Sequence, residues 1–207
     1  MADEVALKFI HQGVGAWNDW RQLGGLDLSG AELIEADLRD VDFSSVDLTG
    51  ANLSSAKLNN ARLTRATPVG ANLRNADLSH ADVSNALATG ADLSGATIDG
   101  TDFEDARLEN AKFAGTSLRG GYFRWTDLAG ADLSEAAVFG ADLRTATVIG
   151  ATGLEPSFEI VIDANISENK LAAILQAVAD YYRACGGVGF DVAIETAGQN
   201  EGLVMGA

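Results

Sequence analysis

Residues 71–95 read ANLRNADLSHADVSNALATGADLSG, five consecutive blocks of five that each open on alanine. In four of them a large apolar residue stands third, at Leu73, Leu78, Val83 and Leu93. A repeat of five matches neither the 3.6-residue period of a helix nor the two-residue period of a strand.

The pattern extends far beyond this stretch. Stepping by five from Leu28 to Val148 meets 25 unit centres without an insertion, most of them Leu, Phe, Ile or Val. Pro68 and Ala88 are the two strongest departures. A small residue stands two positions before most centres, with Thr101, Thr116, Gly121 and Thr126 replacing the usual alanine. A chain with one large and one small inward residue per five can turn a corner after every unit, and four such sides close a square coil. Two features support four sides by recurring every twenty residues. The position two after every fourth centre reads Gly30, Gly50, Gly70, Gly90, Asn110, Gly130, Gly150, residues that tolerate positive φ. The bases Lys57, Arg62, Arg107 and Lys112 have aspartate twenty residues away in seven of eight cases, which predicts cross-rung ion pairs that specify register.

These blocks, among them ADLRD, ANLSS, ANLRN and ADLSG, resemble the A(D/N)LXX unit of the pentapeptide-repeat family. The resemblance covers residues 26–150 and implies a mainly β protein, a right-handed quadrilateral β-helix of about six coils, its interior filled by the central Leu or Phe and the preceding Ala. The phrase GVGAWNDWR at 13–21 also resembles the GVxAWNxWR leader of many bacterial members.

A solenoid exposes apolar interior and unpaired backbone at its ends, so caps are expected. Residues 1–25 are read as an N-terminal helical cap with Leu7, Ile10, Val14 and Trp17 on one stripe. Residues 151–195 are read as a β-α-β module. Phe158, Ile160 and Ile162 alternate, Leu171, Ile174, Leu175, Val178 and Tyr182 form a helical stripe, and Val188, Phe190, Val192 and Ile194 alternate again. Such a unit is small for independent stability, so it is expected to pack on the last coil or to form a homodimer with a second copy. Residues 196–207 are read as a flexible tail.

Little in the chain points to catalysis. His11 and His80 have no ligand partner at metal-site spacing, Cys185 is alone, and no phosphate-binding loop or nucleophile elbow occurs. No cofactor, metal or catalytic residue is assigned, and the abundant aspartates read as solvation and register. The net charge of −16 argues against direct nucleic-acid or membrane binding. No secretory leader or membrane span is read, which points to the cytoplasm.

The expected function is a non-enzymatic scaffold or adaptor with a protein partner. The alternative, suggested by the family, is a DNA mimic acting on DNA gyrase or another topoisomerase. Charge weakens that alternative, because residues 26–150 carry 19 acids but also 10 bases interleaved along the ladders. A binding surface should show where outward positions leave the polar default, which selects Tyr122, Trp125, Phe139, Val69 and Leu87. Phe139 is also read, with Ile149, as meeting the C-terminal module. Pro68 lacks an N–H, so one rung bond should be missing, and the side is expected to narrow or bulge, with Val69 or Leu87 turning in.

Overall fold

The computed structural model describes residues 2–23, 26–138, 141–153, 159–160, 191–193 and 203–206. The chain divides into two compact units, Met1–Gly153 and Leu154–Ala207.

The first unit is a coil that returns on itself every twenty residues. Parallel β-bridges join Glu32 to Asn52, Asn52 to Asn72, Asn72 to Asp92, Asp92 to Lys112, Lys112 to Asp132 and Asp132 to Thr152. The other three sides stack likewise, as in the column Asp42, Arg62, Asp82, Asp102, Tyr122, Asp142. Within each pentapeptide the backbone bonds follow one scheme. The Leu28 N–H donates up to Asp47 at 2.8 Å, the Asp47 N–H donates down to Leu26 at 2.8 Å, and the Gly30 N–H donates up to Thr49 at 2.8 Å. The corner closes by Ala31 donating to Leu28 at 3.0 Å.

That scheme leaves one N–H per unit without a backbone acceptor, the one just after the centre. The Asp or Asn before the centre takes it. Ser44 donates to Asp42 Oδ1 at 2.9 Å, Ser84 to Asp82 at 3.0 Å and Ser134 to Asp132 at 3.0 Å. The preference for Asp or Asn at this position is thus a backbone requirement as well as solvation.

From Gly30 to Glu135 each corner has the geometry of a turn whose third residue has positive φ, the mark of a type II turn. Glycine supplies it on one side, as at Gly30 and Gly70, but Glu35, Asp40, Ser45 and Asn60 adopt the same region on the others. The glycine ladder therefore reports only the most visible of four equivalent corners.

The interior is filled by the inward apolar side chains. Phe103 stacks on Phe123 with ring centres 5.1 Å apart, and both are buried. The threonines that replace alanine keep their hydroxyls satisfied inside. Thr101, Thr116 and Thr126 donate to the carbonyls of Leu78, Leu93 and Phe103 at 2.7, 2.7 and 2.8 Å. Gly121 replaces alanine for another reason: a Cβ there would stand 2.8 Å from the Phe123 ring. Gly121→Ala is therefore expected to destabilise the fold by about 1–3 kcal/mol through overpacking, measurable by urea unfolding.

Pro68 sits inward and buried, with Ala88 buried above it on the next coil. The expected bond is missing: a bridge between Thr67 and Leu87 is absent among the described residues because proline has no donor for the Leu87 carbonyl. The expected bulge does not occur. Leu87 still donates to Ala66 at 2.9 Å, Gly70 donates to Thr89 at 3.0 Å, and Asp47 and Arg107 keep their bridges to Thr67 and Leu87. Val69 and Leu87 stay outward and half-buried. Loss of one bond costs only about 0.5–1.5 kcal/mol, less than shifting the register of a whole side would, so the lattice absorbs it.

The start of the coil carries helices α1 (Glu4–His11) and α2 (Val14–Trp20), followed by a 3₁₀ turn at Arg21–Leu23. The expected single stripe is broken at Gly13, whose φ of 108° suits glycine. Side chains from α2 and the turn replace the missing rung beneath residues 40–44. Asp42 donates its N–H to Asn18 Oδ1 at 2.9 Å, Trp17 Nε1 donates to the Asp42 carbonyl at 2.9 Å, and Asn18 Nδ2 donates to the Asp40 carbonyl at 3.2 Å. Arg21 donates to the Ser44 carbonyl and pairs with the Asp42 carboxylate at 2.8 Å. Trp17 lies fully buried, edge-on to Phe43 at 5.5 Å. Trp17, Asn18 and Arg21 thus supply hydrogen-bonding groups that an open β-edge would otherwise lack.

The basic residues lie in the acidic columns as expected, yet most do not pair along them. Arg62 reaches Asp42 at 3.8 Å, whereas Arg107 turns to Glu109 at 2.6 Å within its own unit, and Lys57 and Lys112 form no ion pair among the described residues. The aspartates are already held by the N–H and hydroxyl of the residue two positions on, and that leaves the long cations free to choose nearer partners. Burial opposes ionisation of Asp42, Asp82 and Asp92, but hydrogen bonds from Ser44, Ser84 and Ser94 and neighbouring arginines outweigh it and hold each carboxyl below its usual value. A lowered folded-state pKa contributes stability above the unfolded value near 3.9, lost as pH falls through the folded value. Urea midpoints should thus fall steeply below about pH 4, and Asp82→Asn should flatten that fall.

In the second unit, strands β1 (Glu159–Ile160), β2 (Asp191–Ala193) and β3 (Leu203–Gly206) form a sheet in the order β1-β3-β2, with β3 antiparallel to both neighbours. Residues 203–206, expected in a flexible tail, supply the central strand; Val204 pairs with both Glu159 and Ala193. The short apolar run Leu203, Val204, Met205 ahead of Gly206 is the available sequence signal for this strand. The helix expected between the outer strands lies outside the described residues, as does Cys185.

Candidate functional site

One pentapeptide, Gly121–Trp125, carries two large exposed aromatics on its outer surface. Gly121 and Phe123 point in, while Tyr122, Arg124 and Trp125 point out from the same side, Tyr122 63% and Trp125 57% exposed. The Phe103–Phe123 stack and the rung bonds fix this unit from within. Tyr122 donates its N–H to Thr101 at 2.9 Å and accepts at its carbonyl from Phe103 at 2.8 Å.

Trp125 stands at the corner with φ 57°, and its N–H donates to the Thr145 hydroxyl at 3.1 Å. Left-handed backbone costs an ordinary residue about 1–2 kcal/mol, and the other non-glycine corners hold mostly Asn, Asp, Ser or Glu. Trp125 is the bulkiest side chain at any described corner. Large exposed aromatics at strained backbone are a mark of binding surfaces.

Arg124 completes the surface, and the sequence reading did not single it out. Its guanidinium lies 4.8 Å from the Trp125 ring centre and its Nη2 contacts both Glu104 oxygens, at 2.9 and 3.1 Å. The hydrogen bond to Glu104, together with the nearby Asp102 and Asp105, raises the Arg124 pKa further. Spacing was the available signal, since Glu104 stands twenty residues before Arg124.

The other expected contact residues fall elsewhere. Val69 and Leu87 each lie half-buried on the adjoining side, in the Pro68 unit and in the unit stacked on it. Phe139 lies outside the described residues. Among the described residues no cluster of His, Cys, Asp or Glu has the arrangement of a metal site, and His11 and His80 are both exposed and far apart in the sequence.

The architecture is that of a four-sided β-solenoid built on five-residue units. The pentapeptide-repeat family model matches residues 23–66, 69–105 and 106–144 in eight copies, more than half of the chain, and the protein belongs to that family. The match is interrupted at residues 67–68, where Pro68 replaces the central leucine. Among solved structures, HetL, a pentapeptide repeat protein involved in heterocyst differentiation regulation from the cyanobacterium Nostoc sp. strain PCC 7120, is 31% identical, with a TM-score of 0.40. That match covers 60% of this chain and 60% of HetL. A pentapeptide repeat protein from the Arabidopsis thaliana thylakoid lumen is also 31% identical over 45% of this chain and 68% of its own, with a TM-score of 0.30. QnrB1, a plasmid-mediated fluoroquinolone resistance protein, is 16% identical over 74% of this chain and 84% of its own, with a TM-score of 0.40. Comparison with curated proteins finds no match.

Proposed function

We propose that the chain is a non-enzymatic scaffold that engages a protein partner through the outer surface of the Gly121–Trp125 unit. One observation carries this reading: Tyr122 and Trp125, residue types enriched at binding hot spots, stand exposed together in one unit, whereas the other exposed large apolar residues of the described coil, Ile34 and Ile149, are aliphatic and lie in separate units. Asp42, Asp82, Asp102 and Asp132 each accept the N–H two residues on, which gives these carboxylates a role in closing turns.

A photo-crosslinking amino acid at position 122 should yield an adduct with the partner in native extract, while the same group at position 57, on the preceding side, should not. Equal labelling from both positions would overturn the proposal. The DNA-mimic reading has its own signature. A change in gyrase supercoiling caused by the wild type and retained by Trp125→Asn would replace the scaffold reading with topoisomerase mimicry.

A further inference from the structure

The proposed surface already holds one cation, its own. Arg124 lies over Trp125 and is tied to Glu104, so the surface accepts a guanidinium between an aromatic face and a carboxylate. The acids around it outnumber what this arginine and its neighbour can pair. Tyr122 is bridged between Asp102 below and Asp142 above, and Asp105 stands one coil beneath Trp125 at the same corner. Arg124 takes Glu104 and Arg144 takes Asp142 at 2.7 Å, while Asp102 and Asp105 form no ion pair among the described residues.

From this we infer that the partner is a basic segment, a Lys- or Arg-bearing peptide whose cation takes the place of Arg124 on Trp125 while a second cation meets Asp102 and Asp105. The inference rests on the surface being the partner site. Two exposed aromatics provide faces for cations, the local acids provide complementary charge, and the chain's net charge of −16 steers a basic segment toward it. Arg124 then acts as a placeholder, keeping the Trp125 face covered until a guest cation competes for it.

The competition gives the test a distinctive sign. The full chain is titrated into a short fluorescent Arg/Lys/Gly peptide and a Glu/Gly peptide of equal length, with anisotropy as the readout. Expected are binding of the basic peptide alone, a loss of at least about tenfold in Trp125→Asn, and a loss of about two- to fivefold in Asp105→Asn. Arg124→Ala should bind about two- to fivefold more tightly, because it frees both the ring and Glu104. Asp47→Asn, an equal charge change on another side, should match the wild type. The inference is overturned if Asp47→Asn weakens binding as much as Asp105→Asn, if Arg124→Ala weakens it, or if the acidic peptide binds better. Crosslinking from position 122 that the basic peptide does not compete away would sink the inference alone; absence of crosslinking from position 122 would sink the scaffold reading beneath it.

Discussion

Trp17→Ala is expected to lower the unfolding free energy by about 3–5 kcal/mol, the usual result of emptying a fully buried large aromatic site. Trp17 has no exposed surface, meets Phe43 edge-on and donates to the Asp42 carbonyl. The truncation would leave that carbonyl without its donor and loosen Asn18 and Arg21, which serve the same rung. Because each coil of a solenoid is stabilised by its neighbours, the damage should start at residues 26–45 and reduce amide protection there first. Denaturant unfolding and hydrogen exchange of the variant measure both effects. A loss below about 1 kcal/mol would show that Trp17 does not close the solenoid's edge.

Phe103→Ala should cost a similar amount, about 3–5 kcal/mol, by a different route. The Phe103 ring supports Phe123 from below at 5.1 Å, and the Phe123 unit carries Tyr122, Arg124 and Trp125. A cavity at 103 therefore acts beneath the proposed binding surface. The variant should lose partner binding along with stability, whereas Phe43→Ala, at the other end of the same side, should lose stability with less effect on binding per kilocalorie. Comparing the two by urea unfolding and peptide anisotropy separates support of the surface from support of the fold.

The fold was legible because its period is short and unbroken. A large residue every five positions fixes what points inward, and features recurring at twenty fix the number of sides. The edge-capping role of residues 13–21 was less legible. Trp17 could be read as an apolar cap, but nothing in the one-dimensional pattern shows Asn18 acting as a substitute strand through its side-chain amide. Pro68 was half legible. Its missing donor follows from covalent chemistry, whereas the absence of a bulge depends on how firmly the adjoining rungs hold register.

The surface was read only in part for a similar reason. Tyr122 and Trp125 stand out as residue types, but Arg124 looks like an ordinary polar outward residue until its position over Trp125 and against Glu104 is known. The ion-pair columns failed where sequence neighbours two apart compete with spatial neighbours twenty apart. The strand at 203–206 was missed because its apolar run is only three residues long and stands between glycines.

The most direct test of the account is capture of native partners by the full chain carrying both Tyr122→Ser and Trp125→Asn. Asparagine tolerates the left-handed corner and serine the outward rung position, so the unfolding midpoint should stay within about 3 °C of the wild type. The account predicts loss of every partner held by the wild type through this surface at that unchanged midpoint. An unchanged set of captured partners would contradict it.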